Sequence, residues 1–405
     1  MRRSRGSDMR RVFVFALFAS FAVFAVVSEA HKPITSKYTY NDDVFPILRD
    51  RCARCHVAGG VAPMSLMTYE EAFPWAESIR GELIAAHMPP WQADTAFGDL
   101  KGAHTLSPHE LDVILTWASG GNPRGALDQK LPQVALKNDW ALGPPDLKLP
   151  LPSEFAFAPD TMDDTQEFTV AAGTKEPRWV RAVDLLPGTP SIVRSATIYV
   201  KLHPEQILAR WLPGQDPEPA DSGVALRLPA GAEIGVRIHY KKTWQFEGKA
   251  LSDRSTVGIY FAKDAMAREL LAVPIASAVP PAPNGPDQRV TFAQTLDEDV
   301  QALALSPDVV PPNITLQVEA VRPDGSRAPM IRLNTRADWA RRYWFEKPVA
   351  LPRGSRIEVS ALLRDPDLLS QAFAAPTPTA STPSKPATIR LALDVIPAGA
   401  KPAAP

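Results

Sequence analysis

The chain has little of what disulfide, zinc and copper chemistry need. Of its 405 residues, 2 are cysteine and 7 are histidine. Two cysteines exclude a disulfide-stapled scaffold and any cysteine-rich zinc or iron–sulfur site. Neither sign of charge is in excess, with 44 Lys and Arg against 45 Asp and Glu. That removes the electrostatic case for a nucleic-acid partner. A long apolar run is missing too. Residues 12–27 make a run of 16, short of the ~20 that span a bilayer. What is plentiful is proline, 42 residues, about twice the usual ~5%. Proline disfavours long helices and central strands and suits turns, edges and linkers. With 45% apolar and 22% charged residues, the chain can bury cores, and its length implies two or three domains.

Residues 1–30 have the form of a signal peptide. Arg2, Arg3, Arg5, Arg10 and Arg11 precede the apolar run, and Ser28-Glu29-Ala30 supplies small residues at the −3 and −1 positions. Cleavage is expected before His31, giving a periplasmic or secreted chain with no membrane span. An uncleaved anchor is the rival reading. Cleavage would also free the His31 amine, which chelates copper together with its own imidazole.

The rest divides by texture. Residues 31–125 are helical in pattern. Thr68-x-x-Glu71 and Ser107-Pro108-x-Glu110 read as capping boxes. Val44, Ile47 and Leu48 repeat at helical spacing, as do Leu111, Ile114, Leu115 and Ala118, and Gly120-Gly121 stops the second run. Residues 126–152 read as a proline-rich linker. Beyond 153 come short β-rich runs at 191–202, 233–240, 255–261, 314–321 and 356–363, separated by Pro-Gly and Pro-Asp-Gly turns. This predicts antiparallel sandwiches over 153–278 and 287–398, with the proline-rich stretch 279–286 between them. Residues 374–388 read as a loose loop, and the apolar run from Thr388 to Ile396 as a strand returning to a sheet.

Both cysteines fall in Cys52-Ala53-Arg54-Cys55-His56, the Cys-x-x-Cys-His signature of c-type haem attachment. Two thiols at this spacing form thioethers to the two vinyl groups of one porphyrin, and the adjacent imidazole reaches the iron. A redox Cys-x-x-Cys needs a βαβ setting that is absent, and makes no use of His56. Met64, Met67 and Met88 are candidate sixth ligands, with His87 behind them. Met88 is favoured, because Met88-Pro89-Pro90-Trp91 ends a helix and fixes an extended strap. A thioether ligand raises the potential.

Two resemblances follow from these residues. Residues 39–121 resemble bacterial c-type cytochrome domains in Asp43-Val44-Phe45-Pro46-Ile47-Leu48, the Cys52–His56 motif, Ala62-Pro63-Met64-Ser65-Leu66, Met88-Pro89-Pro90-Trp91, Leu106-Ser107 and Trp117. That likeness implies Met88 as the distal ligand. Residues 153–398 resemble the tandem sandwiches of copper type II, ascorbate-dependent monooxygenases, such as peptidylglycine monooxygenase. The shared landmarks are Trp211-Leu212-Pro213-Gly214, Leu228-Pro229-Ala230-Gly231, Val236-Arg237-Ile238-His239-Tyr240 and Asp253-Arg254-Ser255. Together they imply an α plus all-β multidomain chain, a small helical cytochrome c domain followed by two antiparallel jelly-roll-like β-sandwiches.

The copper ligands implied by the second resemblance are mostly missing. His239 matches the histidine before a tyrosine. The strand matching the His-His pair reads Val193-Arg194-Ser195-Ala196, and the His-x-His stretch reads Pro307-Asp308-Val309-Val310. The methionine ligand has no counterpart after Asp365. One imidazole does not hold redox copper, so His239 is a residual copper position, and no copper is expected. The expectation is an exported monohaem cytochrome that passes one electron to a redox protein of the cell envelope, with the β region docking or binding. The alternatives are a haem-fed copper monooxygenase whose missing ligands come from elsewhere, and a redox-tuned binding module.

Overall fold

A computed structural model describes residues 35–102, 105–215, 217, 224–263, 268–279, 287–311, 314–335, 341–364 and 387–399. The signal segment, His31 and most of the loop at 374–388 lie outside the described residues.

In the helical region a π-helical turn, Tyr40–Val44, runs directly into the helix Phe45–Arg51. Thr39 caps the turn by accepting from the Asp42 N–H, and Pro46 sits in the first turn of the helix, where its missing N–H costs nothing. Tyr40, Val44, Phe45 and Leu48 form the buried face. They meet the helix Pro108–Ser119, whose Ser107–Glu110 capping box is fully formed. The helix buries Val113, Ile114, Trp117 and Ala118. Tyr40 ties this core together. Its ring packs edge-on to Tyr69 at 5.7 Å and beside Trp117 at 6.0 Å. Its hydroxyl donates to the Leu66 carbonyl at 2.7 Å. Gly120 ends the helix against Ser36, so close that a Cβ there would stand 2.7 Å from Ser36 Cβ.

The first sandwich holds β1 (Leu147–Pro150), β2 (Phe155–Phe157), β3 (Asp163–Ala171), β4 (Arg178–Leu186), β5 (Val193–Val200), β6 (His203–Trp211), β7 (Val224–Leu228), β8 (Glu233–Lys241), β9 (Leu251–Asp253), β10 (Thr256–Phe261) and β11 (Arg268–Glu269). One sheet runs β1-β10-β4-β7-β11 and faces another of order β3-β8-β5-β6, with β2 and β9 as a separate ribbon. The pairings are antiparallel except β11 with β7.

The second sandwich holds β12 (Leu271–Val279), β13 (Asp287–Thr295), β14 (Val300–Val309), β15 (Ile314–Val321), β16 (Arg327–Asn334), β17 (Tyr343–Leu351), β18 (Arg356–Arg364) and β19 (Ala387–Pro397). Its sheets are ordered β12-β19-β14-β17 and β13-β18-β15-β16. Strand β15 shows why these sequences make sheets. Ile314, Leu316, Val318 and Ala320 alternate inward and are buried, while the residues between them are half-exposed. The strand expected at the C-terminus, β19, lies centrally between β12 and β14.

Two boundaries differ from the sequence reading. The 126–152 linker ends early, because β1 pairs with β10 and belongs to the first sandwich. The division between sandwiches falls near residue 270, not at 279–286. Strand β12 pairs along its whole length with β19 of the second sandwich, including Pro274 opposite Ala392. Proline fits there because β12 is an edge strand. Strands β12 and β13 therefore lie in the two sheets of the same sandwich.

A segment of the helical region closes the second sandwich. Residues 92–101 cross from edge strand β16 to edge strand β17, in different sheets. Ala93 bridges to Leu333 and Leu100 to Phe345. Asp94 N donates to Arg332 O at 2.8 Å, and Lys101 N to Trp344 O at 2.8 Å. At the midpoint Gly98 has φ +82°, and a Cβ would stand 2.1 Å from the Met330 carbonyl oxygen.

Candidate functional site

The Cys52–His56 motif forms the turn that ends the helix Phe45–Arg51. Cys52 N donates to Leu48 O at 2.8 Å, and Cys55 N and His56 N donate to Cys52 O at 3.1 and 2.8 Å. The loop then folds back, with Ala62 N on Cys55 O at 3.2 Å and Leu66 N on His56 O at 3.1 Å. His56 Nδ1 lies 3.2 Å from the Met64 carbonyl. A carbonyl only accepts, so Nδ1 carries the proton and Nε2 keeps its lone pair. Burial holds the imidazole pKa below its usual value, against the Met64 hydrogen bond, which keeps the ring neutral. Burial pushes the Cys52 thiol up to about 12 and Cys55 up to about 11.

The second segment named from sequence is the strap after the helix Ala76–Ile84. His87 N and Met88 N both donate to Glu82 O, at 2.9 and 3.4 Å. Ala86 takes a positive φ of 52°, and the Met88–Pro89 peptide is cis. Trp91 N closes the turn on Pro89 O at 2.7 Å. The three methionines separate by surroundings. Met67 is 6% exposed within the helical core, and Met64 packs against that core. Met88 is half-buried and belongs to none of the three hydrophobic clusters. His87 is paired with Glu82 at 3.2 Å, both side chains being well exposed.

Residues of both sandwiches border this site. Arg54 Nη1 donates to Gly214 O at 2.7 Å, and Cys55 Sγ lies 3.7 Å from Pro213 O. From β5, Arg194 Nη1 donates to the Val61 carbonyl. Arg341, just before β17, donates to Pro90 O at 3.3 Å, and its guanidinium lies over the Trp91 ring at 5.2 Å. Trp91 packs edge-on to Tyr343 at 5.4 Å. Its buried indole N–H has no hydrogen-bond partner. Local spacing could not have shown Arg194 or Arg341 here, since each joins the site through a contact more than a hundred positions away.

These residues fit a covalently attached haem. An imidazole nitrogen with its lone pair stands beside two half-buried thiols, a thioether is held outside the packed core, and a buried indole N–H lacks an acceptor. Among the described residues no three His, Cys, Asp or Glu side chains gather to hold a metal ion. That observation concerns protein-only cation sites, because a haem brings its own four nitrogens.

The positions where the sequence reading expected copper ligands are engaged with neighbouring side chains. His239, on β8 opposite Thr165 and Ser195, contacts Asp163 Oδ1 through Nε2 at 2.8 Å. Asp308 pairs with Arg210 at 2.9 Å and also with Arg390. These two guanidiniums keep its carboxyl below the usual range despite burial. A cavity of about 650 Å³ lies between the sandwiches, bordered by Gln206, Arg210, Leu226, Ser306, Arg342 and Asp394. The buried Ser306 hydroxyl has no partner there, and Asp394, its pKa raised by burial, stands 3.0 Å from Arg342.

No family model and no curated protein matches the chain. Among solved structures, the major capsid protein P2 of bacteriophage PM2 aligns over 53% of this chain and 96% of its own, at 8% identity and TM-score 0.22. Infectious bursal disease virus, Gx strain, aligns over 63% and 73%, at 10% identity and TM-score 0.18. Among the described residues no helix is long and apolar enough to cross a membrane.

Proposed function

We propose that the helical region is a c-type cytochrome domain and that the protein transfers single electrons. Cys52 and Cys55 would attach one haem, and His56 and Met88 would hold its iron. The bound haem supplies a one-electron couple. The observation that carries the reading is the His56 ring, whose Nδ1 is committed to Met64 O. That contact fixes the tautomer and aims the basic nitrogen away from the backbone. Burial keeps the ring neutral and both thiols protonated before attachment. Met88 would supply the second protein ligand, and a thioether in that role would favour electron transfer over chemistry at the iron. The sandwiches are read as jelly-roll-like and copper-monooxygenase-like, with ion pairs where the resemblance places ligands. The chain is read as exported, with a redox protein of the cell envelope as partner.

The test is mass and optical spectroscopy of the purified protein. A mass increment of one haem that survives denaturation, with a low-spin spectrum carrying a methionine–iron band, is expected. A haem-free mass removes the reading, and a high-spin spectrum that changes with carbon monoxide reopens catalysis. A haem-fed copper enzyme requires a stoichiometric type II copper signal in the same sample. The cavity between the sandwiches favours a second reading, a binding module coupled to the haem. Native mass spectrometry that finds no co-purifying small molecule counts against it.

A further inference from the structure

Resting on the haem reading above, we propose that the sandwiches complete the haem pocket: Arg194 of the first and Arg341 of the second, with the Trp91 indole N–H, hold the two propionate carboxylates. A haem bound by His56 and Met88 lies between two chain segments, the loop after Cys52 and the strap around Met88. Each segment is gripped by an arginine from a different sandwich. Arg194 donates to Val61 in the loop, and Arg341 donates to Pro90 in the strap at 3.3 Å. Arg341 is 8% exposed, so its cation sits inside the protein rather than on its surface. Arg194 therefore lies against the loop that follows the proposed attachment point, and Arg341 against the proposed distal strap.

A haem presents two negative carboxylates on one edge. Inside a protein such an edge needs cations and N–H donors. Arginine suits this role because its planar fork matches a carboxylate and stays charged. The buried Trp91 N–H is a donor without an acceptor, directly beneath the Arg341 guanidinium. A propionate oxygen would meet both groups at once. The β region then becomes part of the haem site, and its cations make the oxidised, more positive haem less favourable.

The test uses the full-length, haem-bearing protein and its midpoint potential by spectroelectrochemistry. Arg341→Gln and Arg194→Gln should each tilt the couple toward oxidised haem by about tenfold, a fall of about 59 mV for one electron. Arg341→Lys and Arg194→Lys should retain most of the original potential. Arg327→Gln, on an exposed ion pair with Glu319 and Glu358, should leave it unchanged. If a glutamine variant fails to mature while its lysine counterpart attaches haem, the need for charge is confirmed. Failure of all four variants makes the arginines purely structural and overturns the proposal. So do potentials that match the unaltered protein in both haem-bearing glutamine variants. Absence of covalent haem from the unaltered protein is a different result, and sinks the underlying haem reading.

Discussion

The helical and β regions treat chemically useful positions in opposite ways. In the helical region, Cys52, Cys55 and His56 lie within five residues on one turn. The backbone leaves their chemistry available, with one imidazole nitrogen basic and two thiols half-buried and protonated. In the β region, the positions read from sequence against a copper site are spent on neighbours. His239 is paired with Asp163, Asp308 with two arginines, and Arg194 with the loop after Cys52. Residues on one turn are held together by local backbone geometry, whereas side chains on separate strands, such as His239, Asp308 and Arg194, are committed by contacts far away in sequence.

The sharpest way to break this contrast is at the motif. Cys52→Ser combined with Cys55→Ser should abolish covalent haem, read as loss of the denaturation-resistant mass increment; retained haem would show that the thiols are not the attachment points. Next in size is Asp308→Ala. It strips the buried Arg210 of its carboxylate and should cost about 3–5 kcal/mol in urea unfolding. A cost below about 1 kcal/mol would mean that the ion pairs at these positions do not hold the sandwiches together. Met88→Ala should remove the methionine–iron band and lower the potential, since a thioether ligand raises it; an unchanged spectrum transfers the role to Met64 or Met67. The smallest effect belongs to His239→Ala. Its partner Asp163 is 54% exposed, so the stability change should stay within about 1 kcal/mol. Metal content should not change, and a copper signal that His239→Ala abolishes would return a metal function to the β region.

Much of this arrangement was legible because it is local. The Ser107–Glu110 capping box, the stop at Gly120-Gly121 and the alternation of β15 each depend on residues a few positions apart. The turn that carries Cys52, Cys55 and His56 is local in the same way. What failed was inference from proline density. Residues 279–286 read as a domain boundary, yet the tolerance of an edge strand for Pro274 placed β12 in the second sandwich. Arg194 read only as a residue standing where the copper resemblance places a histidine, because nothing nearby in sequence reveals that its guanidinium reaches Val61. The same holds for Arg341, which meets Pro90 across 251 positions. Contacts of that span leave no periodic trace, since they depend on where whole sheets end up.

The strap that carries Met88 runs straight into the segment that crosses β16 and β17. Asp94 and Arg332, which join the two, are 238 positions apart. A chain made from its N-terminus presents Cys52-x-x-Cys55-His56 long before those two strands exist. The order of assembly is thereby set: the Cys52–His56 turn can form early from local contacts, and docking of the strap must wait for the last sandwich. Contacts of such high sequence separation form slowly. Until residues 92–101 dock, the second sandwich carries two open edges that could pair with another copy. Anchoring of the strap and protection of the nascent sheets from aggregation thus become a single event late in folding.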